Sequence, residues 1–82
     1  MNRIFIDVDC DIFQDGSVIP RKLKWPDGRA WTITRTLHMS EPVEHEFEGI
    51  RYTVLIGSAE KYIYRIGSAW YVESTHMEVN SS

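Results

Sequence analysis

The N-terminal part of the chain alternates between apolar and polar positions. One side of residues 3–13 carries Ile4, Ile6, Val8, Cys10 and Ile12. The other side is mostly charged and includes Asp7, Asp9 and Asp11. A period of two residues is typical of a β-strand that buries one face. The pattern therefore predicts a first strand over residues 3–13.

Turn-forming residues divide the next part of the chain. An Asp-Gly pair ends the first alternation, and residues 17–25 are predicted to form a second extended segment. Because Pro20 has no amide hydrogen, this segment is expected to be an edge strand or a bulged strand. The run Trp-Pro-Asp-Gly-Arg at residues 25–29 is a strong hairpin signal. It predicts a third strand over residues 29–38.

The second half of the chain predicts one long loop and three more strands. Residues 39–49 contain four glutamates and show no period of 2 or 3.6, so they are predicted to form a loop. Alternation returns at residues 50–57, after Ser58-Ala59 up to Ile66, and at residues 70–72. Residues 75–82 are polar and are predicted to form a flexible C-terminal tail.

These elements favour an all-β fold. Five or six short strands joined by turns suit a small antiparallel barrel of the SH3-like kind. The chain has 82 residues, which leaves room for only one hydrophobic core. We therefore expect a single β-barrel domain over residues 1–74.

Composition narrows the classes of partner and compartment. The formal net charge of −3 gives the chain no general attraction for phosphate backbones or anionic membranes, so nucleic-acid binding is less expected than protein binding. The single cysteine excludes an intramolecular disulfide, and the N-terminal residues lack the pattern of a signal peptide. No apolar run is long enough to span a bilayer. These features predict a cytoplasmic protein.

Motifs spread over most of the chain give a resemblance to a known family. They are Asp15-Gly16, Pro20, Trp25, Asp27-Gly28-Arg29, Trp31, Ile33, Arg35, Arg51-Tyr52 and Trp70-Tyr71-Val72-Glu73. In this pattern the chain resembles a group of small bacterial proteins with an SH3-like β-barrel. The resemblance implies the barrel and implies no activity. Residues 42–48 depart from it, because acidic residues replace the small-residue, glycine-rich loop expected there.

No residue pattern indicates catalysis, a metal or a cofactor. Two of Asp7, Asp9 and Asp11 are spaced to share a cation, but a solvated strand face explains them equally well. The three histidines lack the spacing of a zinc site, and the Glu-His-Glu run at residues 44–46 points in alternating directions on an extended chain. Cys10 is predicted to be a packed thiol and not a nucleophile. We expect a non-enzymatic protein without catalytic residues, metal or cofactor.

Aromatic and arginine side chains are the candidates for binding. We expect one groove lined by Trp25, Arg29, Trp31, Arg35, Arg51 and Tyr52. Such side chains stack on extended peptides or on unpaired bases. The alternative is that the rings fill the core, which applies above all to Trp31 and Trp70. Arg35 has the parity of Trp31 and Ile33, so it is predicted on the inward side, paired with a carboxylate or near a barrel end.

Three functions agree with these features. The first is a binding module that engages a protein segment in a groove or at an exposed strand edge. The second is a small barrel that binds nucleic acid through the same aromatic and arginine side chains. The third is an accessory domain of an enzyme complex whose active site lies in a partner. Because small barrels host many functions, the choice depends on the geometry of a site.

Overall fold

Seven β-strands and no helix make up the computed structural model, which describes residues 3–73. The strands are β1 (Arg3–Ile12), β2 (Val18–Lys24), β3 (Ala30–Thr32), β4 (Arg35–Ser40), β5 (Ile50–Ile56), β6 (Ala59–Ile66) and β7 (Ala69–Glu73). All neighbouring strands pair antiparallel, in the order β3-β2-β1-β7-β6-β5-β4. The short turns between most of the strands permit this arrangement.

The sheet curls into a small barrel. β3 and β4 lie at opposite ends of the strand order, yet only Ile33 and Thr34 separate them in the chain. In a flat sheet of this size the outer strands would be roughly 29 Å apart, so two connecting residues require the sheet to bend back on itself. β2 and β4 come into contact accordingly. The predicted all-β fold, a small antiparallel barrel, is confirmed, with seven strands where five or six were expected.

The additional strand arises because the predicted third strand is divided. Its first part, β3, pairs with β2, and its second part, β4, pairs with β5. At the division the Ile33 amide donates to the Arg21 carbonyl at 2.8 Å, and the Thr34 amide donates to the Leu55 carbonyl at 2.9 Å. Adjacent residues therefore bind opposite ends of the sheet, and together they complete the curl.

The turn chemistry around β2 follows the sequence. The predicted hairpin at residues 25–29 forms, with the Trp25 amide donating to the Arg29 carbonyl at 2.7 Å and Gly28 at a φ of +96°. β3 pairs with β2 only at Lys22–Lys24, so Pro20 lies in a part of β2 whose one described ladder is with β1. Pro20 also lies beside a register shift in the β1–β2 ladder, so both the edge position and the bulge that the proline predicted are found there.

The interior is built from the apolar side of the strands. Its buried residues are Ile6, Val18, Leu23, Ile33, Tyr52, Val54, Ile63, Trp70 and Val72. The rings of Tyr52 and Trp70 pack together, with centroids 5.1 Å apart. Trp70 is therefore the core ring that the sequence predicted, whereas Trp31 is only half-buried and packs against the core from its margin.

The acidic loop, residues 41–49, covers the outer face of β6 and β7. Phe47 packs against Tyr64 with ring centroids 5.4 Å apart. The Tyr71 hydroxyl donates to the backbone carbonyl of Glu48 at 3.0 Å. Tyr64 and Tyr71 are buried as a result, so the predicted loop forms a second packed layer.

Two further expectations concern membrane-spanning segments and the C-terminal tail. Within residues 3–73 no helix is long and apolar enough to cross a membrane. The predicted tail, residues 75–82, lies outside the residues that the structure describes. The cytoplasmic location stays a prediction.

Candidate functional site

Three of the six predicted binding residues lie together around the β2–β3 hairpin. The rings of Trp25 and Trp31 meet edge to face, with centroids 5.9 Å apart. The Arg29 guanidinium lies 5.4 Å from the centroid of the Trp31 ring and forms an ion pair with Asp27 at 2.7 Å. We call Trp25, Arg29 and Trp31 the hairpin cluster. The cation of this cluster is already stacked and paired within the chain.

Arg51 belongs to a second cluster. Its guanidinium lies 4.8 Å from the centroid of Phe47 and 4.4 Å from the centroid of Tyr62. Stacking of this kind attaches the acidic loop to the sheet. Arg51 therefore has a structural explanation, and the predicted single groove does not include it.

Tyr52 is a core residue. Its side chain is fully buried, and its hydroxyl accepts a hydrogen bond from Nε of Arg65 at 3.1 Å. A partner could not reach this ring without opening β5. Tyr52 therefore lies beneath the surface on which the sequence placed it.

Arg35 does not lie on the inward side with Ile33. It is exposed at the start of β4, whereas Ile33 is buried. The parity prediction is wrong because it carried one alternation through the break between β3 and β4. The β4–β5 ladder also shifts register between Thr36 and His38, so the sides of this segment do not follow from counting.

The structure reveals a change of pairing partner along β1. Residues 3–6 of β1 pair with β7, and residues 7–12 pair with β2. The β7 ladder ends where Ile6 lies opposite Trp70, so no described strand lies on the β7 side of Asp7–Ile12. Alternate residues of this segment direct their backbone N–H and C=O groups to that side. We call it the open edge.

A groove of about 740 Å³ runs along the open edge. Its apolar lining comes from Ile6, Val8, Cys10, Ile12, Val18 and Trp70. The turn between β6 and β7, with Gly67 and Ser68, also borders the groove. Its volume falls in the range of about 300–1,000 Å³ that is typical of ligand sites. Ile12 leaves 73% of its surface exposed there, although its neighbours on the same side pack on the core.

A second depression, of about 480 Å³, adjoins the groove. The two share Phe5, Ile6, Asp7 and Lys24. The second depression is also lined by Trp25 of the hairpin cluster. Trp25 therefore borders the surface that continues from the open edge, and it is the predicted binding residue closest to the groove.

Charges are arranged unevenly along β1. Asp7, Asp9 and Asp11 are exposed on its outer face. Asp9 lies 3.5 Å from Lys24, and Asp11 lies 2.8 Å from Arg21, both on β2. Within residues 3–73 Asp7 forms no ion pair, and no group of three or more His, Cys, Asp or Glu residues is placed to hold a metal ion.

Cys10 lies half-buried in the lining of the groove. It packs against the core, as the apolar side of β1 predicted. It is also the only cysteine of the chain. Its thiol is therefore a natural probe of whether the groove is occupied.

The tyrosines under the acidic loop have shifted pKa values but a structural role. Burial raises the pKa of Tyr64 to about 12, and the nearby Glu73 carboxylate, which accepts from the Tyr64 hydroxyl at 3.3 Å, adds to the shift. Burial also raises the pKa of Tyr71. A catalytic base or acid works best with a pKa near the operating pH. These hydroxyls therefore act as hydrogen-bond donors in the packed layer.

Strand length was the one signal in the sequence that pointed to the open edge. The first alternation spans residues 3–13, whereas the last predicted strand covers only residues 70–72. A long strand beside a short one must leave part of its edge unpaired. Pairing between the first and last strands could not be read from the alternation, so the groove was missed.

The comparisons with known proteins add no assignment. No family model, curated protein or solved structure matches the chain. The resemblance to small bacterial SH3-like barrels therefore stays an expectation, and the function has to be argued from the groove.

Proposed function

We propose that the chain is a small, non-catalytic binding module that accepts an extended protein segment as an additional strand beside β1. The observation that carries this proposal is the open edge, which lies against an apolar groove. Strand addition uses both features together, because backbone hydrogen bonds provide affinity and side-chain pockets provide specificity. The module could serve an enzyme complex as well as any other partner.

The dimensions of the groove suit a short extended segment. The open edge has six residues, so it is roughly 20 Å long. A partner of about six residues would place every second side chain in the groove, against Val8, Cys10 and Ile12. The backbone groups on this side of β1 would then gain the hydrogen bonds that no described strand supplies.

The aromatic side chains give less support to the nucleic-acid alternative. Arginines already lie over the rings of Trp31, Tyr62 and Tyr71. Sequence-tolerant binding of single strands needs free rings and a basic groove. The groove beside β1 instead carries Asp7 and Asp9 together with Lys24 and Arg65. These features favour a protein segment.

Selection from a displayed library of random ten-residue peptides, followed by measurement of Kd, tests the proposal. We expect peptides with micromolar Kd values that slow the alkylation of Cys10 by iodoacetamide. Ile12→Asp should weaken their binding by about tenfold or more, because a charge replaces an exposed apolar side chain of the groove.

Val43→Asp provides the matched control. Val43 is 85% exposed on the acidic loop, so the same kind of substitution is placed away from the groove. Binding to this variant should equal binding to the native chain. Peptides that leave Cys10 reactive, and that respond to Val43→Asp and not to Ile12→Asp, would refute strand addition at β1.

A further inference from the structure

The residues along the open edge also restrict what the added segment can be. Asp7, Asp9 and Asp11 lie on the outer face of β1, and Val8, Cys10 and Ile12 lie on the groove side. In a paired strand, residues directly opposite each other point to the same face of the sheet and have Cβ atoms about 5 Å apart. The outer side chains of the segment would therefore meet carboxylates, and its inner side chains would meet the apolar lining.

We infer that the segment alternates basic and apolar residues, an inference that rests on the proposed function. Opposite charges directly across a strand pair are stabilising, and like charges are destabilising. Asp7 has no ionic partner within residues 3–73, and it borders both the groove and the adjoining depression. A basic residue opposite Asp7 would supply that partner.

The cations that line the groove do not reverse this preference. Lys24 lies opposite Asp7 on β2, on the side of β1 away from the open edge, but its ammonium group is directed to Asp9, at 3.5 Å. Arg65 donates from Nε to the Tyr52 hydroxyl and from Nη1 to the Gly67 carbonyl. Both are engaged within the chain, whereas the Asp7 carboxylate in the groove lining has no ion pair among residues 3–73.

A second copy of this chain is a poor occupant. If two open edges paired with each other, the aspartates of one copy would lie beside the aspartates of the other. Like charges at a strand edge prevent edge-to-edge association. The same row of carboxylates thus discourages self-association and selects a basic partner.

Three synthetic peptides test the inference with the full chain. The first alternates lysine and valine over ten residues, the second alternates glutamate and valine, and the third has the composition of the first with the lysines grouped together. We expect the first peptide to slow alkylation of Cys10. The glutamate peptide should bind about tenfold more weakly, because about three favourable cross-strand pairs become unfavourable. The grouped peptide should also bind about tenfold more weakly, because its side chains no longer alternate between the two faces.

Substitution of Asp7 supplies a second readout. Asp7→Asn should weaken binding of the lysine peptide by about two- to threefold and strengthen binding of the glutamate peptide, because one carboxylate is removed. Glu41→Gln is the matched control, since it removes an exposed carboxylate from the acidic loop. Both substitutions are at exposed positions, so folding should be retained.

The outcomes separate this inference from the proposed function. Equal binding of the lysine and glutamate peptides would overturn the charge preference and leave strand addition in place. Equal binding of the alternating and grouped lysine peptides would show attraction by charge without a paired strand, and would overturn the inference. If library peptides protect Cys10 and the lysine peptide does not, only the inference fails. Protection of Cys10 that rises with protein concentration alone would identify a second copy as occupant and overturn both.

Discussion

Gly49 connects the acidic loop to β5 with a backbone φ of +85°. Residues with side chains rarely adopt this left-handed conformation. A Cβ atom at this position would also press on the backbone carbonyl of Arg65 in the neighbouring strand β6. Gly28 in the hairpin has a φ of +96°, but a Cβ atom there would meet nothing within 4 Å. A side chain at Gly28 would therefore meet backbone strain alone, whereas a side chain at Gly49 would meet backbone strain and a steric clash.

Alanine substitution at the two glycines should give different losses of stability. We expect Gly28→Ala to lower the free energy of unfolding by about 1–2 kcal/mol, because only the left-handed conformation is penalised. Gly49→Ala should lower it further, because β5 and β6 must also move apart. Urea unfolding followed by tryptophan fluorescence measures both values. Equal losses would contradict the close approach of Gly49 to β6.

Tyr64 should make the fold less stable at high pH. Its ordinary pKa of 10.0 is raised to about 12 in the folded chain. A raised pKa stabilises the fold below the unfolded pKa, and this stabilisation is lost as the pH rises through the folded value. We therefore expect the free energy of unfolding to fall between about pH 10 and 12, and to fall less in Tyr64→Phe. An unchanged pH profile in this variant would contradict the role of Tyr64.

At the scale of single residues, the sequence predicted backbone conformations better than it predicted which side chains are exposed. The Asp-Gly hairpin and the bulge at Pro20 followed from local backbone chemistry, which depends on few neighbours. The positions of Tyr52 and Arg35 depend on which strands curl over one another. That arrangement is set by pairing between distant segments, and a count of alternating positions does not contain it.

Among the strands, β1 is distinctive because its two halves pair with different strands. Residues 7–12 have β2 on one side and the open edge on the other. Amide groups in strand ladders are protected from hydrogen exchange, whereas amides exposed at an edge exchange quickly. Protection should therefore alternate along this segment, with slow exchange at the residues that bond to β2.

Amide hydrogen exchange of the full chain, resolved by residue, measures this alternation. We expect fast exchange at every second residue of Asp7–Ile12, and slowing at those residues when a library peptide is bound. Residues 51–55 of β5, which pair with β4 on one side and with β6 on the other, serve as the internal reference and should all be protected. Uniform protection of Asp7–Ile12 in the free chain would contradict the open edge.

The strands themselves were largely predictable, because most of them alternate with a period of two. The exception is the segment that became β3 and β4. Its alternation looks continuous in the sequence, since Trp31 and Ile33 share one parity with Arg35. The division occurs because the Ile33 and Thr34 amides bond to different strands. These long-range hydrogen bonds produce no recognisable local sequence pattern.

In the whole molecule, the curl of the sheet depends on the short connection between β3 and β4. Ile33 is buried in the core, and its amide bonds to β2 while that of Thr34 bonds to β5. We expect Ile33→Ala to lower the free energy of unfolding by about 2–5 kcal/mol, because it removes core packing where the two ends of the sheet meet. Leu37→Ala, at a side chain that is 40% exposed, should cost less than about 1 kcal/mol. Similar losses for the two variants in urea unfolding would contradict the role of Ile33 in holding the two ends of the sheet together.

The same arrangement leaves Asp7–Ile12 of β1 without a partner strand on one side among residues 3–73. The curl brings the two ends of the strand order together at Ile33 and Thr34, and the short β7 pairs only with residues 3–6 of β1. The curled sheet therefore combines a packed core with an open groove beside β1. This combination is the basis of the proposed function, and no single residue of the sequence reveals it.

The most direct test is a measurement of intermolecular nuclear Overhauser effects between the isotope-labelled full chain and the unlabelled peptide of alternating lysine and valine. We expect contacts between peptide backbone protons and alternate residues of Asp7–Ile12, in the pattern of a paired strand, with valine side chains near Cys10 and Ile12. Contacts confined to β4, to the hairpin cluster or to the acidic loop, with none along β1, would contradict strand addition at β1.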